Sequence, residues 1–138
     1  MIVVDSSAII AILRLEPESD VFLKAIVAAD AVEMSAVSAL EASMVLAGAR
    51  GGVSAWAPFD ELMERAAIVV VPFDHQQHAL ARDAFLRFGK GRHPAGLNLG
   101  DCASHALATL RGARILFKGD DFTKTDLHPA VPAAFPMH

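Results

Sequence analysis

The sequence predicts an α/β fold, a three-layer α/β/α sandwich with a mostly parallel central sheet. Short runs of β-branched and apolar residues recur along the chain, and each fits a strand buried on both faces. Segments with helix caps or helical periodicity separate these runs, an alternation that is typical of parallel sheets with right-handed crossovers. The chain has 138 residues, the size of one domain, so we expect residues 1–138 to form a single domain.

The first strand and the first helix meet at an acidic residue. Residues 2–4 are apolar and β-branched, as in a buried strand. Asp5, Ser6 and Ser7 follow, and these residue types cap helices, so a helix is predicted over residues 8–15. Pro17 lies between two glutamates and predicts the start of a second helix, which runs to about residue 29.

The middle of the chain repeats this alternation of strands and helices. We predict, in order, a strand at 32–34, a helix at 35–50 ended by Gly51 and Gly52, a helix at 54–67 weakened by Pro58, and a strand at 68–71.

The last third adds two helices and a strand around a glycine-rich loop. The helix over residues 74–88 has one apolar stripe, which consists of Ala81, Ala84, Phe85 and Phe88. A loop rich in turn-forming residues and positive charge follows at 89–98. The prediction ends with a helix at 101–110, which stops at Gly112, and a strand at 115–117. The tail contains Pro129, Pro132 and Pro136, so it can form at most one edge strand.

Composition excludes several classes of protein. Hydrophobic residues make up 54% of the chain and the mean hydropathy is +0.40, which excludes intrinsic disorder. A single cysteine excludes a disulfide scaffold. The chain starts without a basic, apolar leader and has no apolar run of membrane-spanning length, so we expect a cytoplasmic protein with no membrane association.

The net charge of −4 is unevenly distributed along the chain. Residues 1–81 contain four basic and eleven acidic side chains, whereas residues 82–138 contain eight basic and five acidic ones. A net negative charge argues against a nucleic-acid partner, but a basic second half favours a charged ligand.

Acidic residues follow several of the predicted strands. Asp5 ends the first strand, Glu41 lies near the start of the helix after the second, Asp101 opens the helix before the fourth, and Asp120 and Asp121 follow the fourth. Ligands of parallel sheets bind at the carboxyl ends of the strands, so the fold is expected to gather these acids. Each acid also has a purely structural interpretation: Asp5 and Asp101 as helix caps, Glu41 in a capping box with Ser38, and the adjacent pair as a turn.

Gathered carboxylates repel one another unless a cation neutralises them. Mg²⁺ or Mn²⁺ binds carboxylate oxygens while keeping several waters and room for a phosphate. The pattern therefore indicates metal-assisted phosphodiester hydrolysis with a metal-activated water. Lys90, Arg92 and His93 in the loop before Asp101, with Lys118 before Asp120, are candidate phosphate contacts.

Other chemistries have weaker support. Cys102 is expected at a helix N-terminus, which would lower its pKa, but no base-orienting group accompanies it. His75 and His78 could share a helix face as metal ligands but have no third partner, and the glycines at 89 and 91 do not complete a dinucleotide-binding motif. Two further alternatives remain: a catalytically inactive RNA- or partner-binding domain, and a metal-dependent phosphatase acting on small substrates.

Four segments of the sequence resemble the PIN-domain ribonucleases and, among them, the VapC toxins of bacterial toxin–antitoxin pairs. These segments span nearly the whole chain in the order found in the family: residues 3–8, the helix entry at 38–42, the stretch 89–102, and residues 116–122. The family often has Thr after its first aspartate, and this chain has Ser6 there, which keeps the hydroxyl.

The resemblance implies an Mg²⁺-dependent endoribonuclease. By resemblance, Asp5 and Asp101 bind the metal directly, while Glu41 and Asp121 complete an acidic quartet, partly through waters. We favour Asp121 over Asp120 because Asp121 directly precedes Phe122. The resemblance also implies a structured RNA substrate such as tRNA or rRNA, a cognate VapB antitoxin that blocks the active-site groove, and a homodimer.

Overall fold

The computed structural model describes residues 1–48 and 52–132. Its strands are β1 (Ile2–Val4), β2 (Val32–Ser35), β3 (Ile68–Val71) and β4 (Arg114–Leu116). Its helices are α1 (Ser6–Leu13), α2 (Ser19–Ala28), α3 (Ala36–Gly48), α4 (Trp56–Arg65), α5 (His75–Phe88) and α6 (Leu99–Arg111), with short 3-10 helices at Gly52–Ala55 and Phe122–Lys124. The predicted end of the third helix at residues 50 and 51 and the tail proline at 136 lie outside the described residues.

The four strands form one sheet in the order β3-β2-β1-β4, and every neighbouring pair is parallel. The chain moves outward from β1 to β2 and β3 and then crosses back to place β4 on the other side of β1. The direction of winding therefore changes between β1 and β4. In open α/β sheets, ligands bind at the carboxyl ends of the strands at such a switch point.

The core consists of two apolar layers, one on each face of the sheet. Val3 and Ile115 pack in a cluster with residues of α6, whereas Ile2, Val4 and Leu116 pack in a cluster with residues of α1, α2 and α4. This alternation follows from the two-residue period of a strand. The predicted three-layer α/β/α architecture is confirmed.

Two helices begin earlier than predicted because capping residues extend them. The helix α1 starts at Ser6, since the side chain of Asp5 accepts a hydrogen bond from the backbone N–H of Ser7. The helix α6 starts at Leu99, with Asn98 as its N-cap. Asp101 is the third residue of a capping box and not the cap itself.

The apolar stripe predicted on α5 is only partly buried. Ala84 is fully buried, and Ala81 and Phe88 are half-buried, but Phe85 is 43% exposed. The polar Gln77 is buried about two turns before Ala84, and its amide donates to the carbonyl oxygen of Pro72. None of the helices within residues 1–48 and 52–132 has the length and apolarity needed to cross a membrane.

Candidate active site

Asp5 lies at the switch point of the sheet, directly after β1. Its backbone N–H donates to the carbonyl oxygen of Leu116 in β4 at 2.9 Å, which fixes the residue between the two strand ends. The side chain is only 2% exposed. Burial raises the pKa of the Asp5 carboxyl above its ordinary value, and hydrogen bonds from Ser104 and Ser7 oppose this effect.

Serine hydroxyls bind both oxygens of the Asp5 carboxylate. The hydroxyl of Ser104 donates to Oδ1 at 2.6 Å, and the hydroxyl of Ser7 donates to Oδ2 at 2.7 Å. Ser7 in turn accepts a hydrogen bond from the backbone N–H of Lys118 at 3.0 Å. Asp5 is therefore held in one orientation by contacts from α1, α6 and the segment after β4.

Asp101 lies in the first turn of α6 and faces the same site. Its side chain accepts from the backbone N–H of Asn98 at 3.1 Å, and the side chain of Asn98 accepts from the backbone N–H of Asp101 at 2.9 Å. The pKa of Asp101 is raised to about 7 by burial, by the charge of Asp5 and, more weakly, by the charges of Asp121 and Glu41. The charges of the other three predicted acids therefore act on Asp101.

Glu41 reaches the site from α3. Its Oε1 accepts a hydrogen bond from the hydroxyl of Ser6 at 2.6 Å. A methyl group added at Gly100 would collide with the Glu41 carboxylate, with 2.6 Å to both Cδ and Oε2. The absence of a side chain at Gly100 thus allows α6 to approach Glu41 closely. The predicted capping box between Ser38 and Glu41 does not form, because Ser38 is inside α3 and bonds to Ser104.

The two adjacent aspartates after β4 have different environments. The charge of Asp121 acts on Asp101. Asp120 instead lies 3.7 Å from the ammonium of Lys124, in an exposed i, i+4 ion pair. Asp121 is thus the member of the pair whose charge acts on Asp101.

The residues at this edge of the sheet fit a hard divalent cation. The donors are carboxylate oxygens, and a bound cation would oppose both main causes of the raised pKa of Asp101, which are burial and the charge of Asp5. Within the described part of the chain, no group of three or more His, Cys, Asp or Glu side chains could hold a metal ion. Mg²⁺ needs no such cluster, since proteins usually hold it with one or two carboxylates while it keeps several waters.

The predicted phosphate-binding residues differ in how free their side chains are. Lys90 and Arg92 are exposed on the loop before α6. His93 is half-buried, packs edge-on against Phe88, and accepts a hydrogen bond from the backbone N–H of Ala95 at 3.0 Å. His93 therefore helps to shape the loop.

Lys118 is already engaged by two carboxylates. Its ammonium lies 3.1 Å from Glu16 and 3.5 Å from Glu18. The hydrogen bond to Glu16 raises the pKa of Lys118 above its ordinary value. A phosphate must therefore compete with both glutamates for this lysine.

The structure also tests two of the alternative sites, the thiol of Cys102 and the pair of histidines on α5. The expectation that the helix N-terminus lowers the pKa of Cys102 is wrong: burial and the charge of Asp101 raise it to about 11. Such a thiol is inert at neutral pH. His75 and His78 do lie side by side, with ring centroids 5.9 Å apart, but no third ligand completes a site with them in the described residues.

Sequence reasoning missed Ser38, Ser104 and Gly100. The two serines are fully buried, and their hydroxyl oxygens lie 2.7 Å apart. The signal that was available is their spacing, since each serine lies three residues from an acid of the site, Ser38 before Glu41 and Ser104 after Asp101. Residues three apart share a helix face.

The sequence matches a family model and curated relatives over most of its length. The PIN domain family model matches residues 2–127. The chain is 47% identical over 130 residues to ribonuclease VapC28 of Mycobacterium tuberculosis, covering 94% of this chain and 97% of the relative. It is 44% identical over 126 residues to ribonuclease VapC of Mycolicibacterium smegmatis, covering 91% and 96%.

Solved structures share the fold at low sequence identity. The crystal structure of Mycobacterium tuberculosis VapC20, described as a sarcin-ricin loop cleaving toxin, has a TM-score of 0.73 at 15% identity and covers 92% of this chain and 96% of that one. VapBC2 from Rickettsia felis, bound to a DNA fragment from its promoter, has a TM-score of 0.73 at 11% identity and covers 94% and 97%. With the family model and the sequence relatives, these matches show that the chain belongs to the PIN-domain family and, within it, to the VapC ribonucleases.

Proposed function

We propose that this VapC ribonuclease is an Mg²⁺-dependent endoribonuclease and the toxin of a VapBC-type toxin–antitoxin system, acting in the cytoplasm. The observation that supports the metal-dependent mechanism is the position of Asp5 at the switch point of the sheet, together with the charges of Asp5, Asp121 and Glu41 that act on Asp101. Carboxylates that act on one another in this way attract a divalent cation.

Asp5 and Asp101 are the proposed metal ligands. Asp5 is the N-cap of α1 and Asp101 lies in the first turn of α6, so backbone hydrogen bonds fix their orientation. A bound Mg²⁺, or Mn²⁺ in its place, supplies positive charge that orients a phosphodiester and promotes ionisation of a water. Glu41, with Oε1 bonded to Ser6, and Asp121 complete the acidic lining and accept hydrogen bonds from water.

The exposed loop before α6 supplies the proposed phosphate contacts. Lys90 and Arg92 contact the RNA backbone directly, and His93 supports their loop by packing on Phe88. Lys118 reaches a phosphate only by leaving Glu16 and Glu18. These contacts are independent of base sequence, so they fix affinity and position more than specificity.

Structured RNA such as tRNA or rRNA is the proposed substrate, and a VapB-type antitoxin and a second copy of the chain are the proposed partners. Support for an antitoxin comes from the structural neighbours, among them a toxin–antitoxin complex from Klebsiella pneumoniae. Support for a dimer comes from an apolar cavity of about 490 Å³ between α5 and α6. Exposed Phe85, Leu86 and Leu99 line it, and such surface is commonly covered by protein.

Labelled RNA incubated with the purified chain, with and without EDTA, tests this proposal. We expect cleavage that EDTA stops and Mg²⁺ restores, and that Asp5→Asn and Asp101→Asn abolish. Asp121→Ala should also lose cleavage, whereas the matched control Asp120→Ala should keep it, because Asp120 pairs with Lys124 outside the site.

Two outcomes would contradict the proposal. RNA that is retained without metal and without products would identify a non-catalytic binding domain. Hydrolysis of a small phosphomonoester, with none of RNA, would identify a phosphatase.

A further inference from the structure

We infer that Ser104 is a positioning residue for the metal-binding carboxylates, and that Ser38 fixes the hydroxyl of Ser104 for this task. The inference rests on the proposed metal-dependent function. It concerns a pair of hydroxyls that contact neither the RNA nor the cation but hold the groups that do.

The direction of the hydrogen bonds follows from proton counting. A serine hydroxyl has one hydrogen to donate, and an ionised carboxylate only accepts. Ser104 donates that hydrogen to Oδ1 of Asp5 at 2.6 Å, so the 2.7 Å contact between the two hydroxyls must be a donation from Ser38 to Ser104. Hydrogen bonds in such a chain polarise and strengthen one another.

The bond to Asp5 has the features of a charge-assisted hydrogen bond. Its length falls in the short range of hydroxyl-to-carboxylate bonds. Both serines are fully buried, so no water replaces a lost donor without rearrangement. The chain of hydroxyls therefore fixes the position of Oδ1 of Asp5.

The same two serines connect three of the four acids. Ser104 lies one turn after Asp101 on α6, and Ser38 lies one turn before Glu41 on α3. Their mutual bond joins the two helices at this level, while Ser104 also binds Asp5. Removing the hydroxyl of Ser104 thus removes a hydrogen bond that holds Asp5. It also removes the bond that joins α6 to α3, so the distance between Asp101 and Glu41 becomes less tightly fixed.

The test is calorimetric titration of Mn²⁺ into the metal-free, full-length chain. We expect Ser104→Ala to weaken Mn²⁺ binding about 10- to 100-fold, the usual effect of removing a group that orients a metal ligand. Ser38→Ala should weaken it by about 2- to 10-fold, because Ser104 still donates to Asp5 but is itself no longer held. Ser43→Ala is the matched control, since the Ser43 hydroxyl donates to the carbonyl oxygen of Ala39 within α3, and it should bind Mn²⁺ as the unmodified chain does.

If the serines have a purely structural role, their substitution would lower thermal stability and leave the Mn²⁺ dissociation constant unchanged. That result for Ser104→Ala would overturn the inference. If Ser104→Ala shows no cooperative melting transition, Ser38→Ala decides, and an unchanged dissociation constant there overturns the inference equally. If the unmodified chain binds no Mn²⁺, the proposed function fails and takes the inference with it. Unmodified binding combined with unaffected variants refutes the inference alone.

Discussion

Replacing Gly100 with alanine should separate stability from activity. Gly100 is buried in the first turn of α6 and has a backbone conformation open to any residue. The added Cβ would lie 2.6 Å from Cδ and Oε2 of Glu41 and would also collide with Oε1. Because these atoms are the end of a flexible side chain, Glu41 moves and the helix stays in place.

The energetic terms of this substitution nearly cancel. Alanine in place of glycine stabilises a helix by roughly 0.5–1 kcal/mol. Displacing Glu41 breaks its 2.6 Å bond from Ser6, which costs about 1 kcal/mol. We therefore expect the free energy of unfolding to stay within about 1 kcal/mol of the unmodified chain, while RNA cleavage falls about 10- to 100-fold because an acid of the site has lost its position.

Urea unfolding measures the first quantity and single-turnover cleavage of labelled RNA measures the second. Gly48→Ala is the control, because a Cβ there meets nothing within 4 Å, and it should leave cleavage unchanged. In a double-mutant cycle, Gly100→Ala should add little to the effect of Glu41→Ala, since both remove the same carboxylate. Normal cleavage by Gly100→Ala would show that the position of Glu41 is immaterial, and additive effects would show that Gly100 acts through another group.

Three further predictions concern the charged groups. Folding raises the pKa of Asp101 from 3.8 to about 7, so between these pH values the native state binds a proton that the unfolded state has lost. The metal-free chain should therefore lose stability as the pH rises from about 4 to about 7, and thermal melts of Asp101→Asn should show a smaller loss over the same range. Arg92→Ala should reduce the salt-dependence slope of RNA binding by about 0.7–0.9, whereas Arg65→Ala, which lies before β3 at the opposite edge of the sheet, should leave the slope unchanged. Equal slopes for Arg92→Ala and the unmodified chain would show that the loop is not part of the RNA site. Lys118→Met should lower the free energy of unfolding by about 1–3 kcal/mol, because buried Glu18 then lacks a cation; an unchanged urea midpoint would show that Glu18 needs no partner.

Local patterns predicted the strands well. Residues 2–4 and 68–71 are strands with the predicted bounds, because an apolar β-branched run carries its own signal. The convergence of Asp5 and Asp101 followed from one topological rule about strand ends. The helix starts shifted by two residues because capping by Asp5 and Asn98 adds turns that periodicity does not show.

Contacts between distant parts of the chain were beyond sequence reasoning. Ser38 and Ser104 are 66 residues apart, and their spacing from Glu41 and Asp101 indicates a shared helix face but not that the two hydroxyls meet. Lys118 looked like a free cation beside Asp120, but the fold turns it toward Glu16. The burial that raises the pKa of Cys102 likewise depends on the packing of α6, and the sequence position alone suggested the opposite direction.

The structural and chemical interpretations of the aspartates do not exclude each other. Asp5 caps α1 and Asp101 completes the capping box of α6, and the same backbone bonds fix the orientation of both carboxylates. A test by alanine therefore confuses a lost cap with a lost ligand. Asparagine caps helices as well as aspartate does but carries no charge, so Asp5→Asn and Asp5→Ala should lose cleavage equally, while Asp5→Ala should be less stable by about 1 kcal/mol. Equal stability of the two variants would show that the bond to Ser7 contributes nothing to α1, and cleavage retained by Asp5→Asn would show that the cap, and not the charge, is what the reaction needs.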